Sequence, residues 1–142
     1  MKRQLTGLNA ANHYLTGQIP DGIYLVSVRK ARFHRQARKP YYTLDVVITE
    51  PVRFVDRVMS SRIYCNQRAL WKMNWFLRDF AYDSDLLERD EIDEKRLIGL
   101  HGVVKVSRIV FDGTPFLRFD GFAPAEKWQE LSPANLDRPL VP

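Results

Sequence analysis

Residues 41 to 50 read Tyr41-Tyr42-Thr43-Leu44-Asp45-Val46-Val47-Ile48-Thr49-Glu50. Side chains of an extended chain alternate between two faces, so Tyr42, Leu44, Val46 and Ile48 share one and Tyr41, Thr43, Asp45 and Thr49 the other. One apolar and one polar face mark a strand lying on a core, and Pro51 interrupts it. Upstream, Ile23 to Arg29 is a further run of β-formers, opened by Asp21-Gly22, with Tyr24, Val26 and Val28 on one side. Downstream, Val52 to Tyr64 continues in the same style, with Phe54, Val58 and Tyr64 inward if the register passes Asp56, where a bulge is expected.

After these three strands the periodicity changes. Asn66 is placed to cap a helix over 67–81, in which Leu70, Met73, Leu77 and Phe80 recur at helical spacing. Trp71 and Trp75 flank that stripe and are expected to pack the helix on the sheet. The acidic stretch beyond Ala81 reads as a loop with a short helix around Asp90 to Leu97, punctuated by Gly99 and Gly102. Two more strands follow, Val103 to Phe111 and Pro115 to Phe122, joined by Asp112-Gly113, a strong hairpin signal. Residues 1–20 form an arm without clear periodicity and residues 124–142 a Pro-rich tail in which Trp128 can dock, leaving residues 21–123 as the folded domain.

A chain of 142 residues, 45% hydrophobic, supports one core. Its single cysteine, Cys65, excludes an intrachain disulfide and suits a reducing compartment. Met1-Lys2-Arg3 is followed by polar residues rather than the apolar core of a leader, and every apolar run is far short of a membrane span. The expectation is a soluble cytoplasmic protein. The net charge is +5, and it is unevenly placed: up to Tyr64 there are eleven Lys/Arg against four Asp/Glu, afterwards eleven against thirteen.

The excess concentrates between the first two strands, in Arg29-Lys30-Ala31-Arg32-Phe33-His34-Arg35-Gln36-Ala37-Arg38-Lys39-Pro40, six fixed cations in twelve positions without an acid. Such a cluster repels itself unless a polyanion replaces its counterions; otherwise it is a solvated turn. Phe33 lies within it and Tyr41 at its exit, the interleaving of rings and cations that suits phosphate contact and base stacking, although both rings could equally cover the end of a core. Arg53 and Arg57 share a face of the third run and could extend the track. On the last hairpin Arg108, Phe111, Phe116 and Arg118 bracket the turn and could form an opposite wall, with Phe111 and Phe116 also plausible as core.

Three strands, a helix and a two-stranded hairpin is the element order of an OB-fold, here a mainly β, five-stranded barrel β1-β2-β3-α-β4-β5. The chain also resembles small OB-fold single-stranded-DNA-binding proteins of the phage and plasmid kind, through Asp21-Gly22-Ile23-Tyr24, Pro40-Tyr41-Tyr42-Thr43-Leu44 and Leu97-Ile98-Gly99. The likeness spans about residues 20 to 123. It implies that the loop between strands one and two, the outer face of strands two and three, and the last hairpin carry a strand of DNA in replication, recombination or plasmid maintenance. It differs from the well-studied bacterial proteins in lacking their acidic C-terminal tip, the chain closing Asp137-Arg138-Pro139-Leu140-Val141-Pro142.

RNA is admitted beside DNA, because the 2′-hydroxyl is read by individual contacts, and a homo-oligomer is admitted too. No cofactor is expected. His13, His34 and His101 are scattered, and Cys65 is near none of them in sequence, so no metal spacing appears. The run Asp90-Glu91-Ile92-Asp93-Glu94-Lys95 could suggest a metal-dependent nuclease, but acids at a helix start are more simply partners of its dipole. The main alternative is an adaptor or assembly subunit using the barrel for protein contacts, since fold does not fix function.

Overall fold

The computed structural model describes residues 2–4 and 19–132. Five antiparallel strands form one sheet: β1 (Gly22–His34), β2 (Tyr41–Glu50), β3 (Val58–Tyr64), β4 (His101–Phe111) and β5 (Thr114–Pro124), in the spatial order β3-β2-β1-β4-β5. Helix α1 (Leu70–Asp79) joins β3 towards β4, followed by the single-turn helices α2 (Ser84–Glu88) and α3 (Glu94–Leu97); α4 (Trp128–Leu131) comes after β5. The arm and tail fall mostly at 5–18 and 133–142, outside the described residues, as does His13.

Alternation builds the core. Val26 and Val28 of β1, Leu44, Val46 and Ile48 of β2, and Met59 and Ile63 of β3 turn inward, and α1 closes over them with Met73, Phe76, Leu77 and Phe80. The expected inward stripe therefore holds in part: Met73, Leu77 and Phe80 are buried and Phe76 joins them, while Leu70 is exposed. Asn66 receives Ala69 N–H and Leu70 N–H on its backbone carbonyl rather than capping with its side chain. The β4–β5 turn is tight, with Asp112 and Gly113 both at positive φ (50° and 76°), where glycine carries no steric penalty.

Two expectations are corrected. The third run does not continue from Val52: Val52–Phe54 forms a 3-10 turn, Asp56 takes a left-handed φ of 69°, and β3 starts only at Val58. The turn shifts the register by one, which moves every side chain to the opposite face. Met59, Ser61 and Ile63 point inward, and Val58 and Tyr64, expected inside, point out. Secondly, strand pairing does not close a barrel. The order along the chain is not the order across the sheet, and β3 and β5 are its two edges. They face each other where Ser61 Oγ–H donates to the Leu117 carbonyl at 3.1 Å, and α1 packs on both.

No helix among the described residues is long and apolar enough to cross a membrane.

Candidate nucleic-acid interface

The β1–β2 hairpin projects because β1 outruns its other neighbour. β4 pairs with Gly22 to Ser27 only. At Val28 the chain instead exchanges bonds with the loop before β4, Val28 N–H donating to Leu100 O at 2.7 Å and Gly99 N–H to Val28 O at 2.8 Å. From Lys30 to His34, β1 pairs with β2 alone. A bulge between Val28 and Lys30 adds a residue and exchanges the faces, so that Ala31 and Phe33 continue the inner side and Lys30, Arg32 and His34 the outer.

Arg29, Lys30, Arg32, Arg35, Arg38 and Lys39 are all exposed. None of the six has a carboxylate at ion-pairing distance among the described residues. Lys39 Nζ lies 6.0 Å from the centre of the Tyr64 ring. Phe33 sits at the rim, 38% exposed, with its ring 5.0 Å from that of Tyr42.

Across the outer face the registers align nine side chains in three rows: Lys30–Asp45–Ser60, Arg32–Thr43–Arg62 and His34–Tyr41–Tyr64. A shallow pocket of about 140 Å³ lies among Lys30, Arg32, His34, Thr43 and Asp45. Its acid is engaged, because Ser60 Oγ–H donates to Asp45, and Thr43 Oγ1 lies 3.0 Å from His34 Nε2. Tyr41 fills the centre of the third row. The His34 ring stacks on it at 4.5 Å and 14°, and the Arg62 guanidinium sits 4.4 Å from its centroid. Only 5% of Tyr41 is exposed.

Tyr41 is thus on the outer face, as its alternation requires, but its ring is already covered and cannot take a base. Tyr64, 36% exposed, offers the accessible ring of that row. Tyr64 and Arg62 were missed because the register was carried through Asp56. Reading Met59 and Ile63 as the inward pair would have put Ser60, Arg62 and Tyr64 on the polar side.

Other sequence candidates lie elsewhere. Arg53 belongs to the 3-10 turn, with its guanidinium 4.9 Å from the Phe54 ring, and Arg57 precedes β3. Both are at the β2–β3 turn, the opposite end of the strands from the basic loop, and do not extend its track. Arg108 turns to the inner side, mostly covered, and pairs with Asp21 at 3.4 Å. Arg118 is on the outer side of β5, paired with Asp120 at 2.6 Å. Phe111 and Phe116 are exposed, not core.

Of the two tryptophans of α1, Trp75 packs as expected: its ring meets Phe122 edge-on at 5.6 Å, and its Nε1–H donates to Asp79 at 2.8 Å. Trp71 does not, being 63% exposed.

Three of the acids beyond α1, Asp83, Asp93 and Glu94, are structural partners. Asp83 accepts from Asp85 N–H and Leu86 N–H, and Asp93 from Lys95 N–H, each capping its helix, while Arg96 pairs with both. Glu94 accepts from Tyr42 O–H at 2.9 Å; burial and this bond push the Tyr42 phenol well above its ordinary range. Among the described residues no cluster of three His, Cys, Asp or Glu could hold a metal ion. A larger cleft of about 480 Å³ is lined by Arg78, Asp79, His101 and Glu126 among others, a mixture of signs that gives it no strong field for a polyanion. No protein-family model and no curated protein matches the chain.

Proposed function

We propose that the chain binds single-stranded nucleic acid, DNA foremost, without a catalytic step of its own, on a partly open five-stranded barrel of OB type. The barrel reading is supported by β1 pairing with both β2 and β4, by the facing edges β3 and β5, and by α1 packed at their seam. The observation that carries the function is the unbalanced hairpin. Six exposed cations have no carboxylate partner among the described residues, and two of them, Lys30 and Arg32, share the outer face with Arg62 and the ring of Tyr64. A single strand offers both of the things such a face can use, phosphates for the cations and open base faces for the rings, whereas a duplex hides the latter. Replication, recombination or plasmid and phage maintenance is the setting this activity fits.

The test is a titration of labelled single-stranded and duplex oligonucleotides at two salt concentrations. Tighter binding of the single strand, weakening steeply with salt, is the expected result. Equal, weak binding of both at low salt would leave only a nonspecific basic surface.

A second reading rests on a different feature. Ile109, Val110, Phe111 and Phe116 are all exposed near the tip of the β4–β5 hairpin, a concentration of apolar surface that suits protein contact. An adaptor or assembly subunit would use it, and failure of the titration would favour that role.

A further inference from the structure

Trp71 is the least explained large side chain of α1. It lies outside the inward stripe, and 63% of it is exposed, yet it is not loose. Its ring stacks on Trp75 at 6.3 Å and 24°. Trp75 is in turn fixed by its bond to Asp79, by Phe122, and by Gly121, whose missing side chain leaves the room it occupies: a Cβ there would stand 2.8 Å from the Trp75 ring. An indole held in place by a buttressed neighbour, with much of its surface in water, is a preorganised stacking surface.

The charge around it is mainly positive. From Cys65 to Asp79 the chain holds Arg68, Lys72 and Arg78 against the single acid Asp79, whose carboxylate is taken up by Trp75 Nε1–H. Lys72 also feels the field of Arg118 on β5, and burial together with Arg118 lowers its pKa despite the opposing pull of Asp120. A cation disfavoured in this way gains from an added anion.

The location continues the face already described. Ser61 and Leu117 join the edges on the inner side. Alternation therefore sets Ser60 and Arg62 of β3, and Phe116 and Arg118 of β5, on the outer side of the same seam. α1 packs on β5, with Trp75 seated on Gly121, and its Lys72 lies within the fields of Arg118 and Asp120.

We infer that Trp71 is a second base-stacking site, reached by a single strand that leaves the β1–β2–β3 face, crosses the seam, and sets phosphates near Lys72 and Arg118. This rests on the single-strand reading above and extends it from the basic hairpin to the helix. A strand is favoured over a protein partner by the excess of Arg68, Lys72 and Arg78 over Asp79 and by continuity with the basic face.

The experiment uses the full chain and oligothymidylate, with affinity read from a labelled strand and emission from the protein's tryptophans. The wild type should bind with quenching. Trp71→Phe keeps a ring for stacking, so it should bind within a few-fold of wild type while losing most of the quenching. Trp71→Ala should bind about 5- to 100-fold more weakly with its salt dependence intact, and Lys72→Ala should flatten that dependence.

Absence of binding by the wild type would overturn the single-strand reading and this inference with it. Normal binding and quenching in both Trp71 variants, with the effect of Arg35→Ala preserved, would overturn the inference alone and assign the exposed indole to a protein partner.

Discussion

Arg62 holds its guanidinium 4.4 Å from the centre of the Tyr41 ring, and this contact explains why a tyrosine on the outer face of the sheet is almost wholly buried. The planar cation covers the ring from β3 while His34 covers it from β1. Two roles are combined in one side chain, a lid on Tyr41 and a charge on the face proposed to bind a single strand. Arg62→Ala should lose both: a flatter log-affinity versus log-salt slope, by about 0.7 for one single-strand phosphate, and about 0.5–1 kcal/mol of stability. Arg62→Lys separates them, since lysine keeps the charge but not the flat stacking surface. It should restore the slope and not the full stability. A wild-type slope in Arg62→Ala would remove this residue from the interface.

On the hairpin, charge and stacking should respond differently to salt. Arg35→Ala, Arg38→Ala and Lys39→Ala should each flatten the slope by about 0.7. Phe33→Ala and Tyr64→Ala should each weaken binding by roughly 1–3 kcal/mol while leaving the slope near wild type. Tyr41→Phe should be nearly silent in binding, because the covered ring is retained. Salt titrations of the six variants decide the matter, and wild-type affinity in all of the first five would sink the hairpin as a binding element.

Much of this geometry was legible, and the losses have specific causes. β2 was read in full because Tyr42, Leu44, Val46 and Ile48 alternate without a break and Pro51 follows. The β4–β5 hairpin was legible from Asp112-Gly113. The face of β3 was not, because period-two counting assumes a continuous strand, and the Val52–Arg57 turn interrupts it by a number of residues that no pattern announces. Trp71 was misplaced because an apolar stripe has a width: Leu70 and Trp71 suited its edge as well as Phe76 did, and only the position of β5 decides between them. The switch of faces at Val28 was equally silent, since the bulge there depends on Gly99 and Leu100, far along the chain.

Gly121 is a packing residue, and its replacement should show it. In Gly121→Ala the new Cβ would fall 2.8 Å from the Trp75 ring, closer than side chains tolerate. The indole must move, disturbing its contacts with Phe122 and Trp71. A loss of about 1–3 kcal/mol in denaturant unfolding is expected from overpacking of this kind, along with a changed near-ultraviolet tryptophan spectrum. Wild-type stability and an unchanged spectrum would mean that the Trp75 seat is loose.

Magnesium or manganese should not turn the protein into a nuclease. Asp93 is used as a helix cap, Glu94 as the acceptor for Tyr42, and Arg96 neutralises the Asp83–Asp93 corner. A labelled single strand incubated with protein and either ion should stay intact. Cleavage that disappears with Asp90→Ala or Asp93→Ala would require a different account of these acids.

The pH dependence of stability should carry the signature of Asp120. Burial opposes its ionisation, but hydrogen bonds from Ser107 and Arg118 and the charges of Arg118 and Lys72 outweigh it, so the carboxyl titrates below its ordinary value of 3.8. A group whose pKa is lower folded than unfolded stabilises the fold above its unfolded pKa, and that contribution disappears as pH falls through the folded pKa. Asp120→Asn keeps the size and removes the charge, while every other carboxyl titrates alike in both proteins. Melting temperatures of the pair should therefore differ by a constant amount above about pH 5, and the difference should shrink as the pH falls below 3.8 and through the lower folded pKa. The variant should also leave Lys72 with a lower pKa, because Asp120 is the charge that raises it. Parallel melting curves down to about pH 2.5 would show that the carboxylate adds nothing by its charge, and the Arg118–Asp120 contact at 2.6 Å would then be geometry without energetic consequence.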